Sequence, residues 1–287
     1  MAQKKTSQAR RKSGKKRPPA RAKKPAITAR TADKHVLYQL SVQDAKVEVD
    51  FIDAVFRSLY KVRPASLLED FCGTALICSE WVRRSKDRAA TGVDIDPKVL
   101  AWGKRHNVAR LEDAAERVTL LRQDVRDPVR AKFDVVCAFN FSYWVFRTRD
   151  EMRNYFRHVR SLLKKRSMFV LDAYGGWEAQ QPMQERRRIK GGFTYVWDQN
   201  QFDPIGHEVV NYIHFEFKDG SKQRRAFSYH WRFWTLPELA ELLREAGFRD
   251  VDVWWDTSRE TSEEELFRPK LRAKNQPGWL AYIVARA

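Results

Sequence analysis

Several carboxylic acids stand at the ends of apolar runs, where they could meet a nucleoside. Ala65–Leu68 runs into Glu69-Asp70 and then the turn Phe71-Cys72-Gly73-Thr74-Ala75, and Ala89–Val93 runs into Asp94. A glycine turn lets backbone approach a ligand closely, and an acid ending the following strand can accept hydrogen bonds from ribose hydroxyls. Gly73 and Thr74 open a helix whose free N–H groups can meet a carboxylate. The dinucleotide fingerprint G-x-G-x-x-G is not met, because Phe71 and Ala75 hold the places of its flanking glycines, and no G-x-x-x-x-G-K-[ST] loop occurs. A ligand with ribose and adenine but no phosphates suits this turn.

These residues need a strand–turn–helix–strand unit to position them, with strands at Ala65–Phe71 and Ala89–Val93 and a helix over Leu76–Lys86. Asp96-Pro97 reads as the cap and first residue of a helix over Lys98–Val108. Val118–Arg122 reads as a third strand, followed by Asp124. Phe133–Phe139, almost continuously apolar, reads as a buried parallel strand, followed by Asn140-Phe141-Ser142-Tyr143-Trp144. Ser167–Ala173 reads as a fifth, with Asp172, Tyr174 and Gly175-Gly176 at its C-terminal end, the side on which open parallel sheets bind ligands. Asp172 is a candidate for binding a substrate amine or for capping a turn.

Glu69–Ala75 resembles the first motif of class I S-adenosylmethionine-dependent methyltransferases. Gly92-Val93-Asp94-Ile95-Asp96-Pro97, Gln123-Asp124-Val125 and Phe133–Asn140 resemble the next three, in the family's order. The resemblance implies an α/β fold: a Rossmann-like seven-stranded methyltransferase sheet with helices on both faces, ending in an antiparallel pair. It implies S-adenosylmethionine as cofactor and methyl transfer by direct displacement. The implied cofactor residues are Glu69, Phe71, Gly73, Thr74, Asp94 and Ile95, with Asp124 and Val125 at the adenine and Asn140 under the methionine part. Tyr38 and Gln43, in an N-terminal helical region over His35–Tyr60, are implied lid residues. The prolines of the Asn/Asp-Pro-Pro-aromatic motif of base-methylating enzymes are missing after Asn140.

Residues 190–234 change character. Phe193-Tyr195-Trp197, Val209–Phe217 and Phe227-Tyr229-Trp231-Phe233 alternate with polar residues, and Asp219-Gly220 punctuates the last two. Three antiparallel strands are predicted, inserted as a cap over the site. Their aromatic face is a cap core or a cage for an amine or sulfonium. The opposite parity carries His214, Glu216, Ser228, His230 and Arg232. Catalytic candidates are His230 as a general base, Asp172 and Tyr174. Thr235–Ala246 reads as a capped helix stopped by Gly247. Asp250–Trp255 and Trp279–Ala285 read as the last strands, joined by a charged connection over Ser258–Gln276.

The 287 residues carry 55 Lys+Arg against 37 Asp+Glu, a net charge of +18. Residues 1–36 hold 13 of the basic residues and one acid. Residues 1–34 contain too few large apolar side chains to offset chain entropy and are predicted to form a disordered basic tail, either a polyanion-binding arm or a solubilising one. Residues 35–287 are expected to form the methyltransferase domain that the resemblance implies. Cys72, Cys78 and Cys137 lie on apolar segments without metal-ligand or C-x-x-C spacing, so they read as buried thiols in a reducing, cytoplasmic setting and no metal is expected. No membrane span or secretory leader is read. Three functions stand: methyl transfer to a small molecule; methyl transfer to RNA or another macromolecule recruited by the arm; and non-catalytic nucleic-acid binding on a retained fold.

Overall fold

The computed structural model describes residues 27–257 and 267–287. Two helices, α1 (Lys34–Ser41) and α2 (Ala45–Tyr60), precede the first strand. Asp33 caps α1 by accepting the N–H groups of His35 and Val36, and Asp44 caps α2 through Val47. The apolar runs of strand length then pair side by side. β1 (Ser66–Asp70) lies between β2 (Ala89–Asp94) and β4 (Phe133–Ala138), all parallel, and β3 (Val118–Arg122) flanks β2. Because β2 and β3 go to one side of β1 and β4 to the other, the strand order reverses between β1 and β4. A crevice opens at such a reversal, beyond the carboxyl ends of the strands. α3 (Leu76–Arg83) and α4 (Pro97–His106) are the crossovers beside it, and Asp96 caps α4 ahead of Pro97 as predicted.

β5 (Leu163–Gly175) continues the sheet parallel to β4. The second sheet, described below, then leaves the chain before α6 (Leu236–Glu245), β10 (Asp250–Asp256), β11 (Phe267–Pro269) and β12 (Trp279–Arg286). β12 is inserted antiparallel between β5 and β10. The sheet has eight strands, in the order β11-β10-β12-β5-β4-β1-β2-β3, where seven were expected. The eighth is the three-residue edge strand β11, inside the stretch read as a charged connection and too short to carry an alternation.

Two apolar layers cover the sheet. α2 and α3 bury Val49, Ile52, Phe56 and Trp81 on one face; α5 (Arg149–Ser161) and α6 bury Met152, Tyr155, Phe156, Leu239 and Leu243 on the other. Each such side chain contributes about 1.5–3 kcal/mol by leaving water. α5 and α6 both begin with a complete capping box, at Thr148/Glu151 and Thr235/Glu238.

The inserted sheet has four strands rather than three: β6 (Met183–Ile189), β7 (Phe193–Asp203), β8 (Glu208–Phe217) and β9 (Lys222–Arg232), antiparallel in that order. The insertion therefore begins before residue 190. β6 reads MQERRRI and is exposed along most of its length, so no apolar alternation announced it. One end of this sheet packs Phe193, Ile213, Phe215 and Phe217 on Leu37 of α1. The other end brings Val209, Trp231 and Phe233 into the main core. Residues 27–33, assigned by composition to the basic tail, lie against the second sheet. The Ala29 N–H donates to Ser221 Oγ (2.9 Å), and Gln223 Nε2 donates to the carbonyls of Ala29 (2.8 Å) and Ala32 (2.9 Å). Ile27, Ala29 and Ala32 supply apolar contact with that sheet. The tail expected over residues 1–26 lies outside the described residues.

Candidate active site

The turn after β1 follows a left-handed path. Phe71, Gly73 and Ala75 have φ values of +56°, +52° and +55°. Only Gly73 adopts this freely; each of the others costs roughly 1–2 kcal/mol. Packing holds them there. Ala75 is fully buried, and the Phe71 ring sits 6.1 Å from the rings of Phe146 and Tyr155. Thr74 is clamped from two sides. Gln39 Nε2 on α1 reaches its Oγ1 at 2.7 Å, and Asn107 Nδ2 donates to its carbonyl at 2.8 Å. Gly103 of α4 lets this carbonyl approach, since a Cβ there would stand 2.4 Å from it.

Asp94 ends β2 facing that turn. Its Oδ2 accepts the Gly73 N–H (2.8 Å) and its Oδ1 the Asp96 N–H (2.9 Å), which leaves lone pairs on both oxygens. Burial raises its pKa. Ile95 beside it is 68% exposed, an apolar side chain standing open at the crevice. Glu69 is deeper. Its Oε2 accepts the Cys78 N–H (3.0 Å) at the start of α3, so its visible role is that of a helix cap. Burial, with Asp94 nearby, pushes its carboxyl up to about 7. Asp70 points to the other face, where it accepts from Tyr155 Oη (2.8 Å), and burial pushes it up to about 7 as well.

Asp124 is engaged by a neighbour that no sequence pattern announced. Arg126 donates through Nε (2.9 Å) and Nη2 (2.7 Å) to its two oxygens, and this guanidinium holds the carboxyl below its usual range. Val125 is buried in the core beside it. Across the crevice, Asn140 and Phe141 both have φ of +57°. Their N–H groups donate to the two oxygens of Asp172, at 2.7 and 2.9 Å. Asp172, 6% exposed, thus caps this turn, the second of the two roles expected for it, with one N–H on each oxygen. Burial pushes it up to about 7.

Asn140 and Phe141 also line a cavity of about 850 Å³ between the strand ends, α1 and the inner face of the second sheet. Its wall is aromatic: Tyr38, Tyr174, Tyr195, Trp197, Tyr229, Trp231 and Trp279. Trp197 and Tyr174 meet edge-on at 6.4 Å, and Tyr229 lies against Trp231 at 4.3 Å. Tyr174 stacks on Trp144 at 4.8 Å and its Oη accepts from Asn211 Nδ2 (3.2 Å). Burial raises the pKa of Tyr38, Tyr174 and Tyr195 above that of a free phenol. Glu178, Glu185 and Arg187 add charge to the wall; Arg187 donates to the carbonyl of Ser41 and lies 5.2 Å over the Tyr195 ring.

The crevice thus gathers Glu69, Phe71, Gly73, Thr74 and Asp94 around one turn, with Asn140 on the facing turn. Tyr174 and the lid candidate Tyr38 join the cavity. Gln43 does not line it, and its Oε1 is buried with no hydrogen-bond partner among the described residues. His230 does not line the cavity: it is exposed, opposite Val210 on the far face of the second sheet, because strand alternation turns it away from Tyr229 and Trp231. Sequence patterning did not reveal Gln39, Glu185 or Arg187. The last two sit on β6, whose strand character went unseen. Gln39 carried one signal, its position next to the lid candidate Tyr38 on α1. All three cysteines are buried as predicted, and burial raises their pKa values.

Residues 71–169 match the family model of a methyltransferase domain. A protein of Geobacillus sp. (strain WCH70), provisionally named a methyltransferase, is 23% identical over 217 residues, covering 71% of this chain and 83% of its own. Among solved structures, an S-adenosylmethionine-dependent methyltransferase from Clostridium acetobutylicum ATCC 824 superposes with a TM-score of 0.64 at 18% identity, covering 88% of this chain and 96% of its own. DesVI of Streptomyces venezuelae gives 0.63 at 17% identity over 88% and 95%. The sugar N-methyltransferase KedS8 from Streptoalloteichus sp. ATCC 53650 gives 0.60 at 17% identity over 96% and 100%. The chain thus carries a match to a methyltransferase domain over residues 71–169, and its fold is that of S-adenosylmethionine-dependent methyltransferases.

Proposed function

We propose that the enzyme methylates an amine on a small molecule held in the aromatic cavity. The observation that carries this reading is the cavity itself: about 850 Å³, walled by aromatic rings and bordered by Asn140 of the facing turn. That size suits a small molecule. Ring faces attract a cationic amine; on the wall Glu178 and Glu185 stand against Arg186 and Arg187, so the rings carry this attraction. The name of KedS8, a sugar N-methyltransferase, supports the same acceptor class.

The residues present fit the cofactor. Asp94 keeps lone pairs for two ribose hydroxyls, and Ile95 offers an apolar surface for one face of the adenine. The Gly73-Thr74 turn and Asn140 would hold the methionine end, and Asp124-Val125 would border the adenine edge. Glu69 contributes by fixing the start of α3 under the turn. S-adenosylmethionine supplies a methyl group already made electrophilic by its sulfonium. The chain must then hold the nucleophile in line and exclude water, so orientation dominates the catalysis.

Proton handling is left to the acceptor and its surroundings. The buried tyrosines stay protonated at neutral pH, and no histidine lines the cavity among the described residues. An amine that must be neutral to attack therefore gives a rate that rises with pH through the acceptor's own pKa. The three buried thiols support a reducing, cytoplasmic setting. No helix among the described residues is long and apolar enough to cross a membrane.

The test is transfer of labelled methyl from S-adenosylmethionine into cell extract split into small-molecule, protein and RNA fractions. Label in the small-molecule fraction is expected. Label confined to RNA or protein overturns the reading.

A further inference from the structure

The rings of the aromatic cavity are joined by charges of both signs, and the strand register separates them. Arg186, at the edge of the wall, is held by Glu216 on the outer face of the second sheet. Glu185 and Arg187 stand on the other side of β6, opposite Trp197 and Tyr195 of β7. Trp197 meets Tyr174, whose ring lies 4.7 Å from Phe141 of the facing turn. Tyr195 lies the other way, beside Phe215, which packs with Leu37 of α1. Glu185 is therefore nearer the facing turn, and Arg187 follows about 7 Å further along the strand, toward α1.

Arg187 is held in a fixed orientation. Its Nη2 donates to the Ser41 carbonyl at the end of α1, and its guanidinium lies 5.2 Å over the Tyr195 ring. A guanidinium has five N–H donors, and the Ser41 contact engages one nitrogen. No carboxylate pairs with Arg187 among the described residues, Glu185 included. Tyr195 Oη has no hydrogen-bond partner among the described residues either, and burial keeps this phenol protonated at neutral pH. A charged fork and a neutral O–H donor thus share one part of the cavity wall, with donors left over on both.

We propose that the acceptor carries an anionic group, a carboxylate or a phosphate, besides its amine, and that Arg187 and Tyr195 receive this group at the α1 side of the cavity. The proposal rests on the small-molecule amine reading of the same cavity and narrows it to acceptors bearing both charges. Guanidinium forks match carboxylate and phosphate oxygens in pairs. Because Ser41 and the Tyr195 ring already hold the fork, little ordering is lost when the anion arrives. With the anion anchored there, the amine reaches past Glu185 and Trp197 to the facing turn, and one anchored end orients the other for in-line attack. A wall meant for a simple cation gains nothing from Arg187, whose charge repels it.

The test uses the full chain, labelled S-adenosylmethionine and the small-molecule fraction of cell extract. One portion of that fraction is esterified with acidic methanol, which caps carboxylates; a second is treated with phosphodiesterase and alkaline phosphatase, which remove phosphates. One of the two treatments is expected to abolish labelling, and the one that does so names the anion. For a carboxylate, mild alkaline hydrolysis of the ester should restore the acceptor. Labelling that survives both treatments overturns this proposal and leaves the small-molecule reading standing; no label in the untreated fraction overturns both. With Arg187→Gln, the amount of untreated fraction giving half-maximal rate should rise at least about tenfold, with the maximal rate within about threefold, as expected for a lost charged hydrogen bond. Calorimetry should show unchanged affinity for S-adenosylmethionine. Should Arg187→Gln lower the Tm or that affinity, Tyr195→Phe decides, since it keeps the ring under the guanidinium and removes only the O–H donor. It should raise the half-saturating amount by about threefold or more. Saturation equal to that of wild type in the deciding variant overturns the proposal.

Discussion

The two walls of the active site are built by different means. The proposed cofactor wall is made of backbone: left-handed Phe71, Gly73 and Ala75 on one side, and Asn140 and Phe141 on the other. Carboxylates fix both turns, Asp94 through the Gly73 N–H and Asp172 through two N–H groups. The proposed acceptor wall is made of side chains, mostly rings projecting from α1 and the inner face of the inserted sheet. A backbone wall suits a ligand that never changes. A wall of rings on an added sheet can be recut by substitution without disturbing the turns, so the two sides should fail independently.

The largest expected effect breaks the cofactor wall from behind. Gly103→Ala puts a Cβ 2.4 Å from the Thr74 carbonyl, where backbone must move. A destabilisation of about 1–3 kcal/mol is expected, seen as a Tm lower by roughly 2–4 °C per kcal/mol and accompanied by weaker cofactor binding. Trp197→Ala breaks the other wall. It should lower kcat/KM for the acceptor by roughly tenfold, about 1.4 kcal/mol, because a ring face is removed, with cofactor affinity within about twofold of wild type. A parallel drop in cofactor affinity would mean the walls are not separable.

A smaller effect concerns pH. Asp70 is pushed up to about 7 by burial, against about 4 unfolded. The folded protein therefore holds a proton that the unfolded chain has released over that interval. Asp70 contributes stability that is fully present below about pH 4 and is lost as pH rises through about 7. Asp70→Asn keeps an acceptor for Tyr155 Oη and removes the titration. Its Tm should fall less than that of wild type between pH 5 and 8; parallel curves would contradict this. The smallest effect is His230→Ala, expected to leave turnover unchanged, since the ring faces away from the cavity. A large drop in turnover would return His230 to the chemistry.

What could be read from the sequence follows the same division. Asp94 and Asp96-Pro97 announced themselves because an acid after an apolar run and a capped proline are local signals, and the structure realises both locally. Phe71 and Ala75 concealed the turn, because tertiary packing sustains a backbone path that their residue types disfavour. Asp172 was recognised as an acid at a strand end, yet its partners lie 31 and 32 residues away on the neighbouring turn. β6 was invisible because it is exposed along most of its length and gains its strand form from pairing with β7. Signals carried by one segment were legible, and roles assigned by a second segment were not.

The most direct test of the backbone-built cofactor wall is calorimetric titration of Asp94→Ala with S-adenosylmethionine. Removing a carboxylate that receives hydrogen bonds should cost about 1.5–3 kcal/mol, so the Kd should rise by at least about tenfold while the acceptor cavity stays intact. An affinity equal to that of wild type would contradict the account.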